Sequence, residues 1–206
     1  NIPLLSFLIL KAKCRDCSTT IDVKYFIIEL ISALNFVLIF YLFGFSSTTI
    51  LFFILSIGFL IIFFIDLKHF IIPNEITYPL MMLGFLKSFD PNLNLNLFPN
   101  FIDSLIGGFF GYVIIWLVIF IYKKFRNKEG MGLGDAKLVS VIGFWFGWVS
   151  IPFVIFFSSA IALIKVIPDL IKNKKNLSSE IPFGPYLIVG CLTFLILNSQ
   201  IKFLIN

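Results

Sequence analysis

Long apolar stretches separated by short polar segments dominate the hydropathy pattern of this chain. Apolar residues run on continuously, without the polar–apolar alternation that is typical of strands in a membrane barrel. The pattern predicts helices that cross a membrane, or nearly cross it, at residues 25–43, 49–66, 76–89, 101–122, 136–147, 149–168 and 183–205. Because a crossing usually takes about 20 residues, the third and fifth segments are short. We interpret them as tilted spans or as helices that end inside protein.

The composition supports the same class of protein. Hydrophobic residues make up 59% of the 206 positions, charged residues make up 13%, and the mean hydropathy is +1.03. A soluble domain of this length cannot bury so much apolar surface in one core. We therefore predict an all-α polytopic membrane bundle of about seven transmembrane helices. Residues 1–24 are expected to form a cytoplasmic segment, and residues 25–206 the membrane-embedded domain.

The basic residues indicate how the bundle is oriented. With seven crossings, fourteen of the sixteen Lys and Arg residues fall on one side of the membrane, and only Lys87 and Lys202 fall on the other. An excess of basic residues marks the cytoplasmic side. The net charge of +5 is thus a topology signal with secondary contact to anionic lipid, and no nucleic-acid partner is expected. The fourteen are Lys11, Lys13, Arg15, Lys24, Lys68, Lys123, Lys124, Arg126, Lys128, Lys137, Lys165, Lys172, Lys174 and Lys175.

Two aspartates stand at the edges of the apolar stretches. Asp66 closes the second predicted span, and Asp135 precedes the fifth, so both are placed at the cytoplasmic ends of their segments. A carboxylate beside hydrocarbon is costly and by default indicates function. Two carboxylates brought together do not readily both ionise, so one keeps a proton while the other acts as a base. Such a pair can activate water against a peptide carbonyl without a metal.

The residues around the aspartates suit such a site. Gly130, Gly132 and Gly134 allow a close backbone approach or a positive φ beside Asp135. Pro73 disfavours the α conformation at the residue before it, which predicts a bend after Asp66. An alternative interpretation makes Asp135 an ordinary helix N-cap and Asp66 an interfacial residue that ends a span. Spacing alone does not decide between these readings.

At this point the chain resembles a known family. Asp66 followed by Ile72-Pro73, then Gly132-Leu133-Gly134-Asp135-Ala136-Lys137-Leu138, is similar to the motifs of the type IV prepilin peptidases, which are polytopic aspartic proteases of the GxGD type. The similarity continues through Gly143, Gly147 and Pro182-Phe183-Gly184-Pro185-Tyr186, and back to Asn1-Ile2-Pro3-Leu4-Leu5-Ser6 with Cys14-Arg15-Asp16-Cys17. It covers nearly the whole chain in the order of the family. Position 74 is Asn, where many relatives carry Asp.

The resemblance implies an activity and a site. Members cut the short basic leader from prepilins and pseudopilins at the cytoplasmic face of the bacterial inner membrane, and many also methylate the new N-terminus with S-adenosylmethionine. Asp66 and Asp135 fall on the catalytic aspartates, with Gly132, Gly134, Lys137 and Pro73 in the active-site loops. Two alternatives stay open: another GxGD intramembrane protease, and a proton-coupled transporter that uses both aspartates as a relay.

Cys14 and Cys17 have the spacing of half a zinc knuckle. A structural zinc site takes four ligands, and the one remaining cysteine, Cys191, is predicted within the last span as core packing. We expect the chain to be a fragment or a processed product, since it does not begin with methionine and the family carries a membrane segment and a second cysteine pair further upstream. Cys14 and Cys17 are then zinc ligands in the complete protein, or otherwise a reduced thiol pair.

The remaining polar residues carry weaker predictions. His69 is interpreted as a surface residue at a helix end, and Lys137 either favours the ionised form of Asp135 or extends to the interface. Glu75 and Glu180 are candidates for contact with a basic leader. The two Gly-x-x-x-Gly spacings, Gly107 to Gly111 and Gly143 to Gly147, predict close helix packing.

Overall fold

The structure is a computed structural model that describes residues 3–90, 93, 98–126, 130–171 and 181–205. The described residues form eight α-helices and one 3-10 helix and contain no strand beyond an isolated bridge between Lys13 and Thr20. The α-helices are α1 (Pro3–Ile9), α2 (Val23–Phe43), α3 (Ser47–His69), α4 (Asn74–Leu86), α5 (Phe101–Arg126), α6 (Leu133–Phe146), α7 (Ser150–Ile171) and α8 (Gly184–Ile205). Lys128, Lys172, Lys174, Lys175 and Glu180 lie outside the described residues.

The all-helical class is confirmed, and each of the seven predicted apolar segments coincides with a helix. The count of about seven crossings is not supported. Among the described residues, four helices are long and apolar enough to cross a membrane: α2, α3, α5 and residues 150–167 of α7. Helices α4 and α6 have 13 and 14 residues, which at 1.5 Å per residue is roughly 20 Å, short of the ~30 Å hydrocarbon core.

The chain divides into two compact units, Asn1–Leu60 and Ile61–Asn206, with the division inside α3. In the first unit, the ring of Phe7 from α1 stacks on Phe26 of α2 with centroids 5.0 Å apart. Asp22 caps α2 by accepting a hydrogen bond from the Lys24 backbone amide at 3.0 Å. Further along, Phe36 of α2 meets Phe53 of α3 edge to face at 4.6 Å.

The second unit is built around α6, which contacts α4, α5, α7 and α8. Ten of the fourteen residues of α6 are buried, and Leu138, Val139, Ile142 and Trp145 are completely inaccessible to solvent. The Trp145 indole Nε1 donates to the Leu80 carbonyl of α4 at 2.8 Å. A helix that is apolar on most sides belongs in the interior of a bundle, and this position explains why Asp135 and Ala136 near its start are buried.

Small residues bring α5 and α6 into backbone contact. A Cβ atom added to Gly107 would lie 2.5 Å from the Gly143 carbonyl oxygen, and one added to Gly111 would lie 2.9 Å from the Val139 carbonyl oxygen. The Ser140 hydroxyl donates to the Gly108 carbonyl across the same interface at 2.8 Å. The predicted close packing at both Gly-x-x-x-Gly spacings is confirmed, since a Cβ at Gly107 would also lie 2.7 Å from the Gly147 carbonyl carbon.

Lys87 is a buried cation in the second unit and lies in the 3-10 helix Lys87–Phe89 that follows α4. Its side chain is 4% exposed, and its ammonium lies 3.9 Å from the centroid of the Phe98 ring and has no hydrogen-bond partner among the described residues. Burial lowers the Lys87 pKa from its usual 10.5 to about 7. Contact with the ring face offsets only part of the cost of removing an ammonium from water.

We expect Lys87→Met to stabilise the protein at pH 7 by about 1 kcal/mol or more, because it removes an unpaired buried charge. Between pH 7 and 10.5 the unfolded chain binds a proton that the folded protein has released, so wild-type stability rises with pH across this window. Thermal unfolding in detergent across that pH range should show this rise in the wild type and a flatter profile in Lys87→Met. Lys124→Met, at an exposed position of α5, is the control; an equal effect there would contradict the assignment.

Candidate active site

Asp66 is buried near the carboxyl end of α3. The helix continues to His69, and the Asp66 side chain is only 4% exposed. Its Oδ2 accepts a hydrogen bond at 2.9 Å from the backbone amide of Gly184, the first residue of α8. The first amides of a helix have no partner within the helix and carry its positive dipole end. Asp66 therefore takes part in a tertiary contact, and the interpretation of this residue as a mere end of a span is wrong.

Asp135 lies in the first turn of α6 and is 8% exposed. The N-cap of this helix is Gly132, in an extended conformation, so the interpretation of Asp135 as the N-cap is wrong. The Asp135 backbone amide donates to the Gly132 carbonyl at 3.2 Å, which closes the first turn. The Asp135 carboxyl thus lies buried at the start of the helix, where it also makes a hydrogen bond with the Gly132 backbone.

Ile72 connects the surroundings of the two aspartates. A Cβ atom at Gly134, next to Asp135, would lie 2.9 Å from the Ile72 Cβ, and one at Gly184 would lie 3.2 Å from the Ile72 Cδ1. The same atom at Gly184 would lie 2.8 Å from the Asp66 Oδ2. Ile72, which is buried, thus packs against both glycines and joins the start of α6 to the start of α8 beside Asp66.

The electrostatics of Asp135 reflect this arrangement. Burial, and then the negative charge of Asp66, raise the Asp135 pKa to about 7, while a backbone hydrogen bond with Gly132 acts in the opposite direction. Two charged groups influence each other's pKa chiefly when they lie within a few ångströms. The structure therefore brings the two aspartates together, as their shared depth in the sequence suggested, and it favours a protonated Asp135 beside Asp66.

The other residues singled out from the sequence lie around this pair in different ways. Pro73 is the N-cap of α4 and follows the bend that was predicted after Asp66. Gly130 and Gly134 make close approaches, to the ring of Tyr122 and to Ile72 respectively. Positive φ is not used at Gly132, where φ is −79°, and within the described residues it occurs in glycine only at Gly44 and Gly147.

Lys137 points away from the carboxyl pair. Its Nζ donates to the Asn74 Oδ1 at 2.5 Å and lies 5.3 Å from the centroid of the Tyr78 ring. Burial and Asp66, not Lys137, account for the raised pKa of Asp135. His69 and Glu75 are exposed, and Cys191 is fully buried, as its predicted core role requires.

Cys14 and Cys17 lie between α1 and α2 in the first unit. The Cys17 Sγ is 3.0 Å from the Thr19 hydroxyl, and hydrogen bonds from Thr19 and Cys14 lower the Cys17 pKa to about 7. Thiolate character suits a metal ligand. Nevertheless, the described part of the chain contains no group of three or more His, Cys, Asp or Glu residues able to hold a metal ion. Within the described residues, Cys14 and Cys17 therefore do not form a complete metal site.

Comparison with known proteins identifies the family. The type IV leader peptidase family matches residues 53–167, a range that includes both aspartates and more than half of the chain. The chain belongs to this family. The bacterial Peptidase A24 N-terminal domain matches residues 1–43, which contain Cys14 and Cys17. No solved structure matches the chain.

Three curated relatives of this leader peptidase are each named "Prepilin leader peptidase/N-methyltransferase". The protein from Pseudomonas aeruginosa is 36% identical over 98% of this chain and 68% of its own length. The Stutzerimonas stutzeri protein is 34% identical over the same shares. The protein from Neisseria gonorrhoeae is 32% identical over the whole chain and 69% of its own length. With its membrane-spanning helices, the chain is a multi-pass bacterial membrane protein and a prepilin peptidase.

Reasoning from the sequence missed the part played by Gly184. Pro182-Phe183-Gly184-Pro185 was recognised as an irregular entry, but not as a donor to Asp66. A signal was present, because a proline in the first turn of an apolar helix marks a helix start with unpaired amides. Which group those amides meet is set by contacts 118 residues apart in sequence.

Proposed function

We propose that this protein hydrolyses the peptide bond that joins the basic leader to the mature part of type IV prepilins and pseudopilins. The observation that carries the proposal is the burial of Asp66 and Asp135 beside each other in a family whose relatives are named prepilin leader peptidases. Paired carboxyls of this kind are suited to acid–base hydrolysis of an amide. Family membership argues against the proton-coupled transporter and against an unrelated intramembrane protease.

The surroundings of the two carboxyls support different roles. The amide of Gly184, at the positive end of α8, donates to Asp66 and offsets part of the cost of burying its negative charge. Asp135 is buried next to that charge and keeps its proton up to about pH 7. Asp66 is then the general base that takes a proton from the attacking water. Asp135 is the general acid that donates its proton to the carbonyl oxygen as the water attacks. When the C–N bond breaks, Asp66 passes the proton taken from water to the leaving amide nitrogen and Asp135 recovers a proton from a hydroxyl of the intermediate, so both carboxyls return to their starting states.

The proposal also places this site at the cytoplasmic face. Asp66 is followed by Lys68 and His69 in the last turn of α3. The last turn of α5, which precedes helix α6 in the chain, carries Lys123, Lys124 and Arg126. Basic residues concentrate on the cytoplasmic side of membrane helices. A leader synthesised in the cytoplasm would therefore reach the two aspartates without crossing the bilayer.

Methylation of the new N-terminus is the second proposed activity, because the curated relatives are named as N-methyltransferases as well. S-adenosylmethionine would supply the methyl group. The described residues contain no group that we assign to this cofactor, so the roles derived for Asp66 and Asp135 concern proteolysis alone. Zinc at Cys14 and Cys17 of the complete protein stays a proposal of the same kind.

The division of roles predicts a specific titration. In nanodiscs, the infrared carbonyl stretch of a protonated carboxylic acid should be present at pH 6 and disappear as the pH rises through about 7, in parallel with the rate of prepilin cleavage. Asp135→Asn should remove the band. Asp66→Asn should keep it but move its titration to lower pH, because the neighbouring negative charge is gone.

The opposite pattern would overturn this assignment. If the band disappears in Asp66→Asn and persists in Asp135→Asn, the acid and base are exchanged. Asp103→Asn is the matched control, since Asp103 is also a carboxyl in the first turn of a helix and lies on α5 away from the pair. It should leave both the band and the cleavage profile unchanged.

A further inference from the structure

A second site lies on the opposite side of α6 from the aspartates. An apolar groove of about 770 Å³ is bordered by α4, α5 and α6. Its walls are open to the outside of the second unit, with Met82 64% exposed and Phe109 70% exposed. This volume is within the range of sites that bind small molecules, and the position is independent of the carboxyl pair.

The lining of the groove changes from polar to apolar along its length. Lys137 and Tyr78 lie together at one end, where the ammonium is 5.3 Å from the centroid of the ring. The other end is formed by Phe85, Leu105 and Phe144, which are entirely apolar. Lys137 and Phe144 are seven residues apart on α6, which corresponds to roughly 10 Å along the helix axis.

The polar end is the end that meets the membrane boundary. Helix α5 is long and apolar enough to span, and its last turn carries Lys123, Lys124 and Arg126. The first turn of α6 follows within a few residues, so Lys137 lies near that basic end while Phe144 lies deeper. Across one leaflet of a bilayer, tyrosine and lysine side chains usually lie at the membrane–water interface, and apolar side chains lie deeper in the hydrocarbon.

Among the residues that the structure describes, no counter-ion lies at the charge of the groove entrance. Within the described residues the one ion pair joins Lys24 to Asp22, and no carboxylate pairs with Lys137. One of the three donors of the ammonium is used by the Asn74 Oδ1, and the amide brings no negative charge. An anionic group placed above an apolar chain complements this entrance and the groove below it.

We propose that this groove binds an anionic phospholipid, with an acyl chain against Phe109 and Phe144 and the phosphate at Lys137. The lipid contacts α4, α5 and α6 together, so it would hold the helix that begins at Asn74 against the helix that carries Asp135. The inference uses neither the acid–base roles of the aspartates nor the nature of the peptide substrate.

Photolabelling tests the proposal. The protein is placed in nanodiscs that contain phosphatidylglycerol or phosphatidylcholine with a photoreactive acyl chain, and the labelled residues are mapped by mass spectrometry. Labelling of groove residues should be about fivefold higher with phosphatidylglycerol, the factor expected for one basic residue at an anionic surface. Lys137→Gln should abolish this difference, Lys137→Arg should retain it, and Leu105→Trp should reduce labelling by filling the groove.

Lys165 provides a matched control. It lies on α7, its ammonium is 5.9 Å from the Tyr186 ring, and it does not line the groove. Lys165→Gln should leave the labelling unchanged. The proposal is overturned if both lipids label the groove equally, if Lys165→Gln lowers labelling as much as Lys137→Gln, or if a peptide with the apolar segment of a prepilin displaces the label completely.

Discussion

Asp66→Asn and Asp135→Asn should each lower the rate of prepilin cleavage by about 10³-fold or more, since each removes one partner of an acid–base pair. An amide at position 66 cannot take a proton from water, and an amide at position 135 cannot deliver one. The substitutions preserve size, so the contact with the Gly184 amide at position 66 is replaced by a neutral one rather than lost. The measurement is single-turnover cleavage of a purified prepilin by the reconstituted full-length protein.

The matched control is again Asp103→Asn, which should cleave at the wild-type rate. Unfolding temperatures of the three variants should lie close to that of the wild type, so that loss of activity is not loss of fold. Cleavage that survives at more than about one tenth of the wild-type rate in either dyad variant would be incompatible with general acid–base catalysis by this pair.

Gly143→Ala should destabilise the second unit by about 3 kcal/mol or more, at the upper end of the cost of overpacking a core. A Cβ at this position would clash with the Gly107 carbonyl group and lie 2.9 Å from the Gly108 nitrogen. These are backbone atoms of α5, so no side-chain rotation relieves the contact, and the two helices must separate. Denaturant titration in mild detergent, followed by tryptophan fluorescence of the buried Trp145, measures the loss.

Gly132→Ala is the matched comparison, because an added Cβ there would have no neighbour closer than 3.8 Å and the backbone has an ordinary negative φ. We expect it to change the free energy of unfolding by less than about 0.5 kcal/mol. Equal destabilisation by the two substitutions would show that loss of glycine, not the contact between α5 and α6, is responsible.

The helices could be read from the sequence because each apolar run is bounded by polar or helix-breaking residues. The bend after α3 illustrates this, since Pro73 excludes the α conformation at Ile72 and then opens α4. The number of crossings could not be read in the same way. Helix α6 is apolar because it is enclosed by four other helices, and hydropathy alone does not distinguish burial in protein from burial in lipid.

In the candidate site too, some features could be read from the sequence and others could not. Asp66 and Asp135 were found from their position beside apolar runs. An ionisable group there has a high free-energy cost and therefore usually has a function. The expected influence of Lys137 on Asp135 was not found, because two residues along a helix place side chains on nearly opposite faces. Gly184 was missed as a donor, because a backbone amide has the same chemistry at every position and only its surroundings give it a role.

The sequence by itself determined the helical class, the bounds of the main helices and the two carboxyls, since these depend on local hydropathy and on the cost of a charge near hydrocarbon. Only the tertiary structure decided that α6 is enclosed by four other helices, that Gly184 donates to Asp66, and that Asp135 is buried beside Asp66. Those features depend on contacts between residues far apart in the chain. Burial and the field of a neighbouring charge arise only when the helices pack together.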